Sequence, residues 1–231
     1  MQNDFENDRY RKNNYELTKE RMRPEFLKYD QEAMIRRLQL ENDREYLYLE
    51  FAGGAYRIRR SSGEVDRIGR TERLHGKESH VLVRTGIREA DYLEVLSIYD
   101  FLCYSGEEVS LRGTWCLVNS LPGVGQNSGL GNTMFDQDAG YFDGNQEAFI
   151  RTCKELGGKP VSCGDIGFEI PVFPSFPLRL RFYRSDEEFP ASLSVLFDEN
   201  TLKYMHYETT YYVVGSLMRE IRERMEEQCG C

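Results

Sequence analysis

Glu45-Tyr46-Leu47-Tyr48-Leu49-Glu50-Phe51-Ala52-Gly53-Gly54-Ala55-Tyr56-Arg57-Ile58-Arg59-Arg60-Ser61-Ser62-Gly63-Glu64-Val65-Asp66-Arg67-Ile68 is the stretch that decides the fold class. Leu47, Leu49 and Phe51 alternate with Tyr46, Tyr48 and Glu50, the period of two that puts successive side chains on opposite faces of a strand. Gly53-Gly54 reads as a tight turn, after which Ala55 to Arg60 runs back. Ser61-Ser62-Gly63-Glu64 reads as a second turn before Val65 to Ile68. Three alternating runs joined by two short turns predict an antiparallel meander.

Outward from the meander the period changes to that of helices. Residues 4–40 read as helical, interrupted at Pro24 and restarted behind Asp30 as N-cap, with Ala33, Met34, Ile35, Leu38 and Leu40 as the apolar stripe. Residues 89–104, 145–156 (capped by Asn145) and 207–228 are further predicted helices. Strands are predicted at 114–118, 167–170, 178–183 and 193–197, with Pro171, Pro174 and Pro177 placing the middle pair at a sheet edge. The expected plan is α+β: a mostly antiparallel sheet with helices packed on it, a helical extension over 1–40, a single domain over 41–231 and a long C-terminal helix.

The composition bounds the function classes. The 231 residues carry 30 Lys+Arg against 39 Asp+Glu, a net charge of -9, which disfavours a phosphate backbone as partner. Residues 57–77 run against that balance, with seven basic side chains and three acidic ones, while residues 185–231 hold four basic and ten acidic. Aromatic content of 13% supplies material for a core. No run reaches the ~18 apolar residues of a spanning helix, and Met1-Gln-Asn-Asp-Phe-Glu-Asn-Asp lacks the basic and apolar regions of a signal peptide. The six cysteines (103, 116, 153, 163, 229 and 231) show no repeated C-x-x-C pairing and read as reduced thiols. A cytoplasmic protein that binds neither nucleic acid nor membrane is expected.

Asp186-Glu187-Glu188-Phe189-Pro190, continuing to Leu196-Phe197-Asp198, resembles the most recognisable motif of a bacterial and archaeal family called domain of unknown function 3786. Tyr99-Asp100-Phe101-Leu102, Gly113-Thr114-Trp115, Leu121-Pro122-Gly123, Leu156-Gly157-Gly158-Lys159, Gly164-Asp165, Ile170-Pro171-Val172-Phe173-Pro174 and Glu208 extend the resemblance in order over about residues 45–225. It implies an α+β domain and no assigned activity, so no catalytic residue is carried over and no cofactor is specified. Some members of the family are joined to a four-cysteine iron–sulphur segment. Here no cysteine precedes Cys103, so such a group would come from an iron–sulphur or cofactor-related protein partner or be absent.

Three sets of residues are candidates for chemistry. Asp186, Glu188 and Asp198 would serve a carboxylate- and metal-dependent hydrolase if their oxygens converged. In the competing solvated-hairpin reading, Phe189-Pro190 packs inward and Asp198 caps the segment from Glu199. Arg57 and Arg59 share one strand face, as do Arg179 and Arg181, and the two pairs form an anion site if they meet on adjacent strands. The Gly123-to-Gly131 segment fits neither a dinucleotide fingerprint nor a P-loop and would cover such a pocket as a loop. His75, His80 and His206 make no zinc motif, no metal site is expected, and Cys229-Gly230-Cys231 reads as a frayed tail. The preferred expectation is a non-catalytic accessory domain that binds a small anionic ligand or cofactor at the arginines. The hydrolase and an interaction module acting through the terminal helices are the alternatives.

Overall fold

In a computed structural model, residues 17–73, 80–83, 86–106, 110–124 and 135–229 are described. Two antiparallel sheets carry the fold, where the sequence predicts one. In the first, β1 (Glu41–Asn42), β2 (Tyr46–Phe51), β3 (Gly54–Arg59), β4 (Val65–Arg73) and β5 (His80–Val83) pair in chain order, and β6 (Arg88–Glu89) returns to β4. The second comprises β7 (Trp115–Leu117), β8 (Lys159–Pro160), β9 (Ile166–Phe173), β10 (Phe176–Tyr183) and β11 (Ser192–Asp198), in the order β7-β11-β10-β9-β8. The helices are α1 (residues 17–26), α2 (Gln31–Leu38), α3 (Tyr92–Tyr104), α4 (Asp136–Gly144), α5 (Gln146–Glu155) and α6 (Tyr207–Cys229).

The meander turns one residue earlier than its glycines suggest. Ala52 and Gly53 form the two-residue loop, both with positive φ (47° and 77°), as a type I′ hairpin turn demands. This turn also joins the sheets, because Ala52 N–H donates to the Val172 carbonyl at 2.7 Å. Beside it Phe51 stacks on Phe173 (centroids 4.7 Å apart), and Phe173 stacks on Phe101 of α3 at 3.9 Å. A Cβ on Gly53 would sit 2.3 Å from Leu156 Cδ2, so any other residue would have to push that side chain aside while holding a positive φ.

Helix α3 begins with a capping box between Asp91 and Glu94 and packs along α6, burying Val95, Ile98 and Leu102 against a face that carries Val214, Leu217 and Ile221. Each such side chain stabilises the fold by about 1.5–3 kcal/mol on burial. Phe26 and Met34, from the predicted extension, enter the same core, and Phe26 stacks on Tyr99 at 5.1 Å.

Three local expectations are corrected. Helix α1 continues past Pro24 to Phe26 although the proline removes one backbone donor, and the buried Phe26 holds that end in place. The Asn145 side chain does not cap α5 but donates to the Tyr141 carbonyl at 2.9 Å in the last turn of α4, a helix the sequence pattern leaves unread. Pro171 and Pro177 lie in inner strands rather than at an edge. They face each other in the register beside a bulge between Phe176 and Pro177, where the regular ladder is already broken. Asp30, by contrast, caps α2 as read, accepting from Ala33 N–H at 3.0 Å.

Candidate functional site

The two arginine pairs stand on different sheets, Arg57 and Arg59 on β3 and Arg179 and Arg181 on β10, so they do not meet on adjacent strands. Arg57 is tied to Asp66 (2.8 Å) and Arg59 to Glu64 (3.2 Å), and both lie over the Tyr46 ring. Arg179 pairs with Glu169 at 2.9 Å above Trp115, while Arg181 reaches the Ser194 hydroxyl at 3.4 Å and lies 5.9 Å from the Tyr183 ring centroid. Cross-strand pairing neutralises three of the four.

The local basic excess has another destination. Arg67 (β4) enters the interior and meets Glu220 of α6 at 2.6 Å and Glu94 of α3 at 3.4 Å. Glu220 also receives Arg224 at 2.7 Å, and Arg224 donates to the Gly53 carbonyl at 2.9 Å. Glu94 takes a fork from Arg88 (2.6 and 2.8 Å) and the Tyr56 hydroxyl at 2.8 Å. Arg70 extends the network to Glu223 and Glu227.

Burial pushes the Glu220 carboxyl up, but the charges of Arg67 and Arg224 outweigh it and hold the group below the usual range. At Glu94 burial acts likewise, and the hydrogen bonds from Arg88 and the Asp91 backbone overcome it. A carboxylate depressed in the folded state contributes stability above its unfolded pKa, about 4.3, and loses it as pH falls through the lower folded value. Urea midpoints measured from pH 7 to 3 should therefore decline below about pH 4.5, and less steeply in Glu220→Gln. Equal slopes would remove Glu220 as a source of the acid sensitivity.

The acidic motif does not converge. Asp186 closes the β10–β11 connection by accepting from the N–H groups of Glu188 (2.8 Å) and Phe189 (2.7 Å), and both Asp186 and Glu188 are exposed. Asp198, at the far end of β11, is fully buried and accepts from the backbone of Arg112, Gly113 and Asn200. Its bond to Asn200 is the expected cap. Phe189 does not pack inward but is 66% exposed, because the turn fixed by Asp186 points it away from the sheet.

Among the described residues no group of three or more His, Cys, Asp or Glu is placed to hold a metal ion, and no helix is long and apolar enough to cross a membrane. His206 packs at a tilt against Tyr104 and meets Asp100 at 2.6 Å. Cys103 is pushed up to about 12 by burial, with Asp100 adding to the effect, and Cys163 contacts the Leu180 carbonyl. His75, residues 125–131 of the glycine-rich segment, the His80 side chain and the Cys229-Gly230-Cys231 thiols lie outside the description.

A cleft of about 740 Å³ opens where the end of α2 and its connection to β1 (residues 37–41) face the meander and the β9–β10 turn at Pro174-Ser175. Leu38, Leu40, Leu49, Ile68 and Phe101 give it apolar walls, and Arg37, Glu41, Tyr48 and Glu50 supply the polar groups. Its size is that of a small-molecule site. Arg37 is half-buried and donates to the Leu102 carbonyl at 2.6 Å, while its Nε has no acceptor. Among the described residues only Arg37 and Arg181 are half-buried arginines without a carboxylate partner.

A family model described as domain of unknown function (DUF3786) matches residues 30–220. The chain belongs to that family. Comparison with curated proteins and comparison with solved structures each give no match. The DUF3786 match starts at the Asp30 cap of α2 and runs to Glu220, so both the cleft and the paired carboxylates Glu94 and Glu220 lie within it.

Sequence reasoning about this DUF3786 chain missed Arg37 and the buried network. Asp91-x-x-Glu94 is legible as a capping box and Glu220-x-x-x-Arg224 as a helical pair, but their shared partner Arg67 is 153 residues from Glu220.

Proposed function

We propose that this DUF3786 domain acts as an accessory domain that binds a small anionic organic ligand in the cleft beside α2, without performing chemistry on it. One observation carries this reading: a half-buried arginine with no carboxylate partner among the described residues lines a cavity whose other walls are part apolar and part polar. A guanidinium presents five donors in a planar fork, and Arg37 directs one of them to Leu102, which leaves donors for an anion. The anchor therefore moves from the four arginines of the strands to a residue of α2. A reducing, cytoplasmic setting agrees with the unbridged thiols of Cys103, Cys116, Cys153 and Cys163.

Thermal unfolding in the presence of small organic acids tests it. A ligand at a hundred times its Kd should stabilise the fold by about 2.7 kcal/mol. Arg37→Gln, which keeps a donor for the Leu102 carbonyl, should weaken binding about tenfold or more, since hydrogen bonds to a charged group contribute about 1.5–3 kcal/mol. A panel of acids without any shift, or an unchanged affinity in Arg37→Gln, would remove the reading.

A further inference from the structure

We infer that the ligand of this cleft is a carboxylic acid with an apolar body, an alkyl or aryl chain, whose carboxylate meets Arg37 and whose body covers Leu38, Leu40 and Ile68. This rests on the cleft being an anion site, as proposed above, and names the class of acid it takes.

Arg37 places the head group. Its Nη2 donates to the Leu102 carbonyl at 2.6 Å, in the last turn of α3, so the guanidinium is anchored one residue along from Phe101, which also lines the cleft. That bond holds a planar fork of donors in position before any ligand arrives, which lowers the ordering cost of binding. The two oxygens of a carboxylate lie in one plane and match such a fork.

The body is placed by aliphatic side chains that the fold leaves half-buried. Leu38 and Leu40 flank the C-cap Gln39, whose left-handed backbone (φ 52°) turns the chain between them, and both line the cleft. Ile68 reaches it from β4. In the β3–β4 register Ala55 stands opposite Gly69 and Tyr56 opposite Arg67, so Ile68 is the extra residue of a bulge, with no partner on β3. A bulge re-aims the side chain it carries. Leu49, Ala55 and Phe101, all buried, add apolar surface to the same cleft. The helix end, the connection to β1 and the β4 bulge thus each bring uncovered aliphatic surface to one place, and an apolar chain gains by covering it. A polyhydroxy acid, or a chain with a second charged end, would have to desolvate polar groups where these three side chains stand.

Isothermal titration of the full chain with matched probes tests the inference. Butanoate, hexanoate and octanoate form the series and 3-phenylpropanoate supplies an aryl body. Adipate is the hexanoate chain with a second charged end, and 1-hexanol is the chain without the acid. Affinity should rise along the series by up to about fourfold for each methylene covered. Hexanoate should bind about tenfold or more tighter than either adipate or 1-hexanol. Ile68→Thr keeps a β-branched side chain in the bulge and should weaken octanoate about threefold or more and butanoate less, flattening the series. Arg37→Gln should weaken every acid by a similar factor and leave the slope of the series as it is. Adipate as tight as hexanoate, or no gain with chain length, would overturn the inference and leave the cleft as a site for polar anions. A series that rises equally steeply in Ile68→Thr would overturn the assignment of its walls, and 1-hexanol as tight as hexanoate would overturn the pairing of the acid with Arg37. If no acid binds, the cleft reading itself falls, and this inference with it.

Discussion

Replacing Glu220 with alanine should lower the free energy of unfolding by about 3–5 kcal/mol, because it leaves buried arginines without their counter-charge. Arg67 and Arg224 converge on Glu220 at 2.6 and 2.7 Å, and the side chains of Glu220 and Arg224 are only 3% exposed. Arg67 retains Glu94 at the longer 3.4 Å, and Arg224 retains the Gly53 carbonyl, so the loss falls short of two stranded charges. The substitution also opens a gap between α6 and the meander turn. Urea denaturation of wild type, Glu220→Ala and the double variant Arg67→Met/Glu220→Leu separates the causes. The double variant should recover at least half of the loss, since removing both partners removes the desolvated charges together. A single variant within about 1 kcal/mol of wild type would mean that water reaches these groups and that the network is a surface feature.

The network also explains the uneven charge along the chain. The basic excess at residues 57–77 reads in isolation as an invitation to an external anion. In the fold its inward members, Arg67 and Arg70, are matched by Glu220, Glu223 and Glu227 from the acidic C-terminal segment. Arg57, Arg59 and Arg60 of that stretch pair with Asp66, Glu64 and Glu32. What looks like two oppositely charged surfaces in sequence is largely one intramolecular attraction, with β4 and α6 as its two sides. An external anion has no claim on charges already committed this way, which is why the proposed anchor is the half-buried Arg37 instead.

Those elements mark the limit of what local pattern can deliver. The meander, the Asp30 start of α2, the existence of α3 and the apolar face of α6 are set by residues within four positions of one another, and all were legible. The partition into two sheets was not, because it depends on Ala52 reaching Val172 and on Phe51, Phe101 and Phe173 stacking across long separations. The prolines of β9 and β10 misled for a related reason: their tolerance comes from a bulge, a property of the pair of strands rather than of either one. The cleft was invisible for the same cause. Arg37 looks like an ordinary last-turn helix cation until β2, α3 and the Pro174 turn are brought around it.

Asp198→Ala should cost about 3 kcal/mol of stability, and the size of that loss decides between structural and catalytic roles for the most buried carboxylate of the acidic motif. Its Oδ1 accepts from Arg112 N–H at 3.0 Å and Asn200 N–H at 2.9 Å, and its Oδ2 from Gly113 N–H at 2.7 Å. These bonds fasten the segment before β7 to the end of β11, where Asp198 also stands opposite Trp115 in the ladder. A hydrogen bond to a charged acceptor contributes about 1.5–3 kcal/mol, but Arg112 and Gly113 are exposed enough for water to replace part of what they lose. Asp198→Asn keeps one carbonyl acceptor and should lose about half as much. Asp186→Ala, which frees two exposed N–H groups at the other end of the hairpin, should cost no more than about 1 kcal/mol. A carboxylate kept for chemistry would give the opposite ranking: Asp198→Ala would then be as stable as wild type, or more stable, because a functional charge held in a buried site is released. Chemical denaturation of the three variants reads the ranking directly, with no need to know the ligand.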